Sequence, residues 1–150
     1  MTLTIAQESP LTEDASQLLN GSEAALREAY DINECSSYDA AQLAADNVTF
    51  LVARLDGKPV GCVALCEEDG YGEIKRLFTV SDVRGQGVAK ALVSLLEMAS
   101  QQGVMPRILR YSGAKLEAAV ALYDALGYAR RGPFADYAQG ETTVFMEKAI

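Results

Sequence analysis

Residues 74–92, IKRLFTVSDVRGQGVAKAL, join an apolar, β-forming stretch to an amphipathic helix through a turn with two glycines in three positions. The apolar stretch ends at Val80, and Arg84-Gly85-Gln86-Gly87-Val88-Ala89 opens the helix. A strand, a glycine turn and a helix in that order aim several backbone N–H groups at one point, and the positive end of the helix dipole reinforces them. Glycine at both positions keeps Cβ atoms from holding an anion away from those amides. The same order restricts the fold, because a strand followed by a helix must return across a sheet, which makes an α/β chain. Two familiar phosphate motifs do not fit. No GxxxxGK[ST] string occurs, and Lys90 stands where a dinucleotide fingerprint needs its third small residue.

The flanks supply the rest of the architecture. Thr2–Glu8 alternates as a first strand, and a helical region begins at Pro10 and Thr12, with Thr12 and Asp14 as candidate caps and a break near Asn20-Gly21. Tyr38–Ala45 has the pattern of a second short helix. VTFLVARL at 48–55 reads as a strand, Asp56-Gly57 as a hairpin turn, and 59–68 and 71–80 as two further strands of a meander. Val88, Leu92, Leu95, Leu96 and Ala99 lie on one face of the helix after Gly87. A strand at 107–111 follows, then a helix at about 115–126 that Gly127 ends, then strands near 128–134 and 142–148. Strand–helix–strand crossovers imply parallel pairing in the centre of an otherwise antiparallel sheet.

Composition narrows the chemistry. A chain of 150 residues fits one domain. No apolar run reaches membrane-spanning length and the start lacks a basic leader, so the expected location is the cytoplasm. Histidine is absent, which removes Ser–His and Cys–His nucleophiles and the commonest metal ligand, and no metal is expected. Cys62 and Cys66 are ~13 Å apart on one strand, too far to bridge, and with Cys35 they read as free thiols. Of the net charge of −8, residues 11–46 contribute −7, from eight acids and Arg27 alone. That balance argues against nucleic acid. It fits either a solvated helix face or a surface that draws a cationic acceptor.

Asp82-Val83-Arg84-Gly85-Gln86-Gly87 resembles the acyl-CoA motif [Q/R]xxGx[G/A] of the GNAT superfamily of N-acetyltransferases, departing from it at Asp82. AAVALYDALGY at 118–128 resembles that family's helix ending in A..LYxxLGF, and the likeness spans about 48–150. It implies a single-domain GNAT fold over 1–150: α/β, a mixed, mostly antiparallel sheet of six to seven strands, about four helices, and central strands splayed to admit the pantetheine arm. It also implies acetyl-CoA as co-substrate and transfer to a primary amine of a small molecule or peptide by direct attack in a ternary complex.

Acyl transfer to an amine needs a proton removed, an oxyanion stabilised and a thiolate protonated. The resemblance implies that the amides of Arg84, Gly85, Gln86, Gly87, Val88 and Ala89 hold the diphosphate, with the Arg84 and Lys90 side chains adding charge. Backbone groups of Phe78 and Val80 would pair with the pantetheine. Tyr123 matches the tyrosine that protonates the leaving thiolate; its spacing alone would equally make it a core aromatic. Glu73 stands where many members place the base that takes the amine proton through water, and it reads equally as a surface acid beside Lys75. Leu116 replaces a frequent Asn, so one cofactor hydrogen bond is expected to be missing. Asp136 and Tyr137 either close over the acceptor or cap their loop. A non-catalytic acyl-CoA-binding module is the alternative function, and the oligomer is a monomer or homodimer.

Overall fold

The computed structural model describes residues 2–29, 40–68, 71–99, 107–109, 121–131 and 143–148. Strands β1 (Leu3–Gln7), β2 (Val48–Leu55), β3 (Lys58–Glu68) and β4 (Tyr71–Thr79) form an antiparallel sheet in chain order. Strands β5 (Arg107–Leu109), β6 (Ala129–Arg131) and β7 (Thr143–Glu147) form a second antiparallel sheet in the order β5-β7-β6. Among the described residues, β4 and β5 come together without a shared ladder. The central strands are therefore splayed, and every ladder among the described residues is antiparallel.

The β2–β3 turn follows from its two residues. Asp56 (φ 51°) and Gly57 (φ 86°) both take positive φ, the pairing whose twist matches a two-residue hairpin, and Leu55 then faces Lys58 across it. β4 is less regular. Cys62 faces Phe78 and Ala64 faces Lys75, so Val63 alone spans Arg76 and Leu77. The extra residue is a bulge, with Arg76 at φ 59°, and the Cys62 thiol donates to the Arg76 carbonyl at 3.4 Å.

Each face of the first sheet carries its own core. Helix α1 (Glu13–Ala29) and the short α2 (Ala40–Leu43) cover one face, where Ala15, Leu18, Leu19 and Leu43 meet Phe50, Val52, Cys62 and Ala64. Thr12 caps α1, its Oγ1 accepting the Ala15 N–H at 3.1 Å, whereas Asp14 pairs with Arg54 at 2.9 Å. The expected break at Asn20-Gly21 is absent and the helix runs through. Gly21 is needed there for closeness, since an added Cβ would lie 2.9 Å from the Phe78 ring.

Helix α3 (Val88–Ala99) covers the other face with Val88, Leu92, Val93 and Leu96 against Leu51, Val63, Leu65 and Ile74. Leu95 was expected on that buried side, but it is 41% exposed. Val93 takes the place instead, because the contact stripe drifts around the helix by one position. Helical residues 121–125 close this side, where Tyr123, Tyr128 and Met146 join the same core. Gly127 (φ 91°) ends that segment, its N–H donating to the Asp124 carbonyl at 3.0 Å and the Tyr128 N–H to the Tyr123 carbonyl at 2.9 Å. Cys62 and Cys66 are buried and are not disulfide-bonded. Cys35, Leu116, Asp136 and Tyr137 lie outside the described residues.

Candidate acyl-CoA and acceptor site

The glycine turn is built as an amide cradle. Val80 and Arg84 are both extended and bracket a single 3₁₀ turn at Ser81–Val83. Gly85 (φ 82°) and Gly87 (φ 83°) then take the left-handed backbone that side chains resist. Nothing lies within 4 Å of a Cβ built on either, so both face open space. The Gly87 carbonyl accepts the first helical bond, from the Ala91 N–H at 3.0 Å. The amides of Gly85, Gly87, Val88, Ala89 and Lys90 donate to no backbone carbonyl among the described residues.

Two expected donors are committed inside the turn. The Arg84 N–H donates to the Ser81 carbonyl and the Gln86 N–H to the Val83 carbonyl, each at 3.3 Å. In this structure the turn therefore uses these two amides to shape the loop. The Gln86 side chain is likewise turned back, donating to the Asp82 carbonyl at 3.3 Å. The Arg84 and Lys90 side chains are exposed beside the open amides.

The end of β4 joins this cradle to the rest of the site. The Val80 N–H donates to the Val60 carbonyl at 2.9 Å, and Val80 packs against both cores. Phe78 packs on the α1 side. Glu73 and Lys75 share that side, opposite Cys66 and Ala64. Lys75 Nζ lies 2.7 Å from Glu73 Oε2. Glu73 is thus beside Lys75, as one reading held, but it is 4% exposed and not a surface acid. The bulge also turns Arg76 to the α1 side, where its Nη1 donates to the Ser22 hydroxyl at 3.4 Å.

Tyr123 belongs to the α3-side core and is 5% exposed. Its ring meets that of Tyr128 edge to face, centroids 5.2 Å apart. So the two expected catalytic groups lie in different clusters, Glu73 towards α1 and Tyr123 towards α3, with Val80 packed against both.

A set of contacts that the sequence did not reveal surrounds Tyr128. Lys148 Nζ donates to the Leu126 carbonyl at 2.7 Å, pairs with Glu97 Oε2 at 3.1 Å, and stands 5.7 Å from the centre of the Tyr128 ring. Burial first, then the Glu97 carboxylate, push the Tyr128 phenol above its usual range. No sequence pattern links positions 97, 128 and 148. Among the described residues no group of three metal-ligating side chains converges, and no helix is long and apolar enough to cross a membrane.

Residues 14–128 match the family model described as acetyltransferase (GNAT) family. The chain belongs to the GNAT acetyltransferase family. Among its GNAT relatives is the IAA acetyltransferase of Azospirillum brasilense, 35% identical over 150 residues, covering 99% of this chain and 98% of that one. An N-acetylaspartate synthetase from Xenopus tropicalis is 37% identical over 118 residues, covering 77% of this chain and 41% of its own. A Klebsiella pneumoniae crystal structure assigned as an acyl-CoA N-acyltransferase has a TM-score of 0.77 at 29% identity, covering 99% of this chain and 97% of the other. A Thermoplasma acidophilum N-acetyltransferase in complex with coenzyme A has the same fold, with a TM-score of 0.74 at 16% identity and full coverage of both chains. The GNAT chain studied is accordingly an enzyme, an acetyltransferase whose co-substrate is acetyl-CoA.

Proposed function

We propose that this chain, as one domain over 1–150 working in the cytoplasm, transfers the acetyl group of acetyl-CoA to a primary amine of a small molecule or peptide by direct attack in a ternary complex. The observation that carries this reading is the row of uncommitted amides at Gly85, Gly87, Val88, Ala89 and Lys90, opening a 12-residue helix onto free space. Such amides bind a diphosphate through the helix-end field, and the Arg84 and Lys90 side chains add charge. Backbone groups of Phe78 extend the grip along the pantetheine, and those of Val80, bonded to the Val60 carbonyl and the Val83 N–H, join it only by exchanging those partners.

The acceptor arrives as an ammonium and loses one proton, through water, to Glu73. Its nitrogen lone pair attacks the thioester carbonyl carbon; the C–N bond forms, the C–S bond breaks, and the sulfur leaves with the bonding pair. Tyr123 protonates that sulfur and recovers its proton as the nitrogen gives up its second one. The products are the N-acetyl amine, free coenzyme A and one released proton. Tyr128 against the Tyr123 ring supports a fixed orientation for the phenol.

The acidic balance of residues 11–46 supports an acceptor group that carries positive charge. Part of that field is cancelled locally, because Asp14 is paired with Arg54. The test is thiol release from acetyl-CoA across a panel of amines. Release that depends on an added amine is the expected result. Acetyl-CoA that stabilises the fold without turnover on any amine would return the chain to a binding module.

A further inference from the structure

Leu126, in the turn that ends the helical segment of Tyr123, leaves its carbonyl beyond the reach of that helix's own N–H donors. Lys148, just after β7, fills the gap, its Nζ donating to the Leu126 carbonyl at 2.7 Å. Its stem crosses the Gly127 turn, with Cε 3.7 Å from where a Cβ at 127 would stand. A cation at the C-terminal end of a helix is well placed against the helix dipole. The lysine is itself held by Glu97 Oε2 at 3.1 Å, on the last turn of α3. It also stands 5.7 Å from the centre of the Tyr128 ring, within cation–π range. Tyr128 in turn grips Tyr123 twice, by its N–H on the Tyr123 carbonyl at 2.9 Å and by the edge-to-face rings. The other end of α3, at Val88, opens on the uncommitted amides of the cradle. Glu97 lies about 14 Å further along that helix at the usual rise per residue.

We propose that Lys148 and Glu97 are positioning residues, a latch that ties the end of the Tyr123 helix to the last turn of α3. The latch fixes Tyr123 relative to the helix that grips coenzyme A, and so sets the distance between the acid and the departing sulfur. It rests on the reading above, in which the cradle holds the diphosphate and Tyr123 protonates the thiolate. Both residues act through Tyr123 and take no part in bond making. A general acid works within hydrogen-bond reach, ~2.6–3.2 Å, and a misplacement of ~1 Å can cost ~10²-fold. The apolar contacts of Tyr123 with the α3-side core bury its ring but have no direction of their own. The hydrogen bonds of the latch are directional, and they decide where along α3 the Tyr123 helix comes to rest. A helical turn is stiff, so a shift at Leu126 is passed on to Tyr123 one turn back.

The experiment measures the single-turnover rate of thiol release from acetyl-CoA with the fastest amine of the panel, beside the acetyl-CoA dissociation constant. Lys148→Met should slow the rate by about 10–100-fold and change the dissociation constant by less than about twofold. Lys148→Arg, which keeps a charged donor, should restore most of the rate. In the Tyr123→Phe background Lys148→Met should slow the reaction by less than about twofold more, because the latch acts only through the hydroxyl. Gly57→Ala, strained in the β2–β3 turn instead, controls for lost stability and should keep the parental rate. Where Lys148→Met does not fold, Glu97→Gln takes its place. It weakens the tie to α3 while the lysine keeps the carbonyl, and should give a smaller loss that likewise vanishes with Tyr123→Phe. Parental rates in the latch variants, or losses that multiply with that of Tyr123→Phe, would overturn the latch and leave the transferase intact. An equal loss in Gly57→Ala would overturn it too, since any loosening of the fold would then suffice. A Tyr123→Phe variant as fast as its parent, or no thiol release with any amine, would instead remove the reading on which the latch stands.

Discussion

Gly21 of helix α1 lies against the ring of Phe78 on β4, so close that a Cβ at position 21 would stand 2.9 Å from Phe78 Cζ. The glycine sets how near the first helix comes to the strand end that leads into the amide cradle. Gly21→Ala has two opposed effects. Alanine improves a helix interior by up to ~1 kcal/mol, while forcing a methyl into a filled contact costs ~1–3 kcal/mol. The ring cannot shorten to make room, so the second effect wins. We expect a net loss of about 1 kcal/mol, read as a melting temperature lower by ~2–4 °C, with weaker acetyl-CoA binding as Phe78 is displaced. A melting temperature at or above the parent's would show that α1 can move aside.

Gly87 and Gly57 form a matched pair for testing the cradle. Their φ angles are 83° and 86°, and a Cβ on either meets nothing within 4 Å. Alanine at each should therefore cost a similar ~1–2 kcal/mol of backbone strain. Only position 87 opens onto the free amides. At a hundredfold excess over its dissociation constant, acetyl-CoA should stabilise the parent by ~2.7 kcal/mol. Gly57→Ala should keep that gain and Gly87→Ala should lose most of it. Equal gains in both variants would place the diphosphate elsewhere.

The glycine turn, the hairpin at Asp56-Gly57 and the end of the helix at Gly127 were legible because positive φ has a residue signature. The strands and α3 were legible because their periods differ. The run of α1 through Gly21 was not, since the contact that demands a glycine comes from Phe78, far along the chain. Arginine is no turn residue, so nothing in the sequence marks Arg76 as the left-handed residue of a bulge. The use of the Arg84 and Gln86 amides depends on a 3₁₀ turn, which spacing does not distinguish from an open loop. The Glu97–Lys148 pair joins positions 51 residues apart, and no local pattern records it.

Tyr123→Phe isolates one hydroxyl. The ring packs edge to face on Tyr128, and phenylalanine retains that contact. As the acid that protonates the departing thiolate, Tyr123 should be worth ~10²–10⁴-fold in kcat, with acetyl-CoA affinity nearly unchanged. Steady-state kinetics beside a calorimetric titration of acetyl-CoA separate the two quantities. Turnover at the parental rate would make Tyr123 a core residue only.

Lys148 holds the Leu126 carbonyl, the Glu97 carboxylate and the Tyr128 ring at once. Lys148→Met keeps the apolar stem but leaves Glu97 without its partner cation. Because the lysine side chain is 31% exposed and the carboxylate 14%, water relieves part of the penalty, and the loss should be roughly 1–3 kcal/mol by urea unfolding. Adding Glu97→Gln removes the stranded charge and should recover a good part of that loss. A double variant no more stable than Lys148→Met would mean that the carbonyl contact, and not the ion pair, carries the effect.

Alkaline pH should weaken the fold through Cys62. Burial pushes this thiol from its ordinary 9.0 up to about 12, with Arg76 opposing only in part. Between those values the unfolded chain has released a proton that the folded chain still holds. The contribution of the neutral thiol is therefore complete below pH ~9 and declines as pH rises towards 12, by at most ~1.4 kcal/mol per unit. The buried Tyr128 phenol is shifted in the same direction and adds to the decline at higher pH. Cys62→Ala lowers stability at pH 8, since it removes the sulfur and its contact with the Arg76 carbonyl, so the readout is the slope and not the level. Urea midpoints from pH 8 to 11 should fall less steeply for the alanine variant. Parallel slopes would show that the thiol is reached by solvent before the fold opens, and rapid alkylation of Cys62 in the folded chain at pH 8 would show the same.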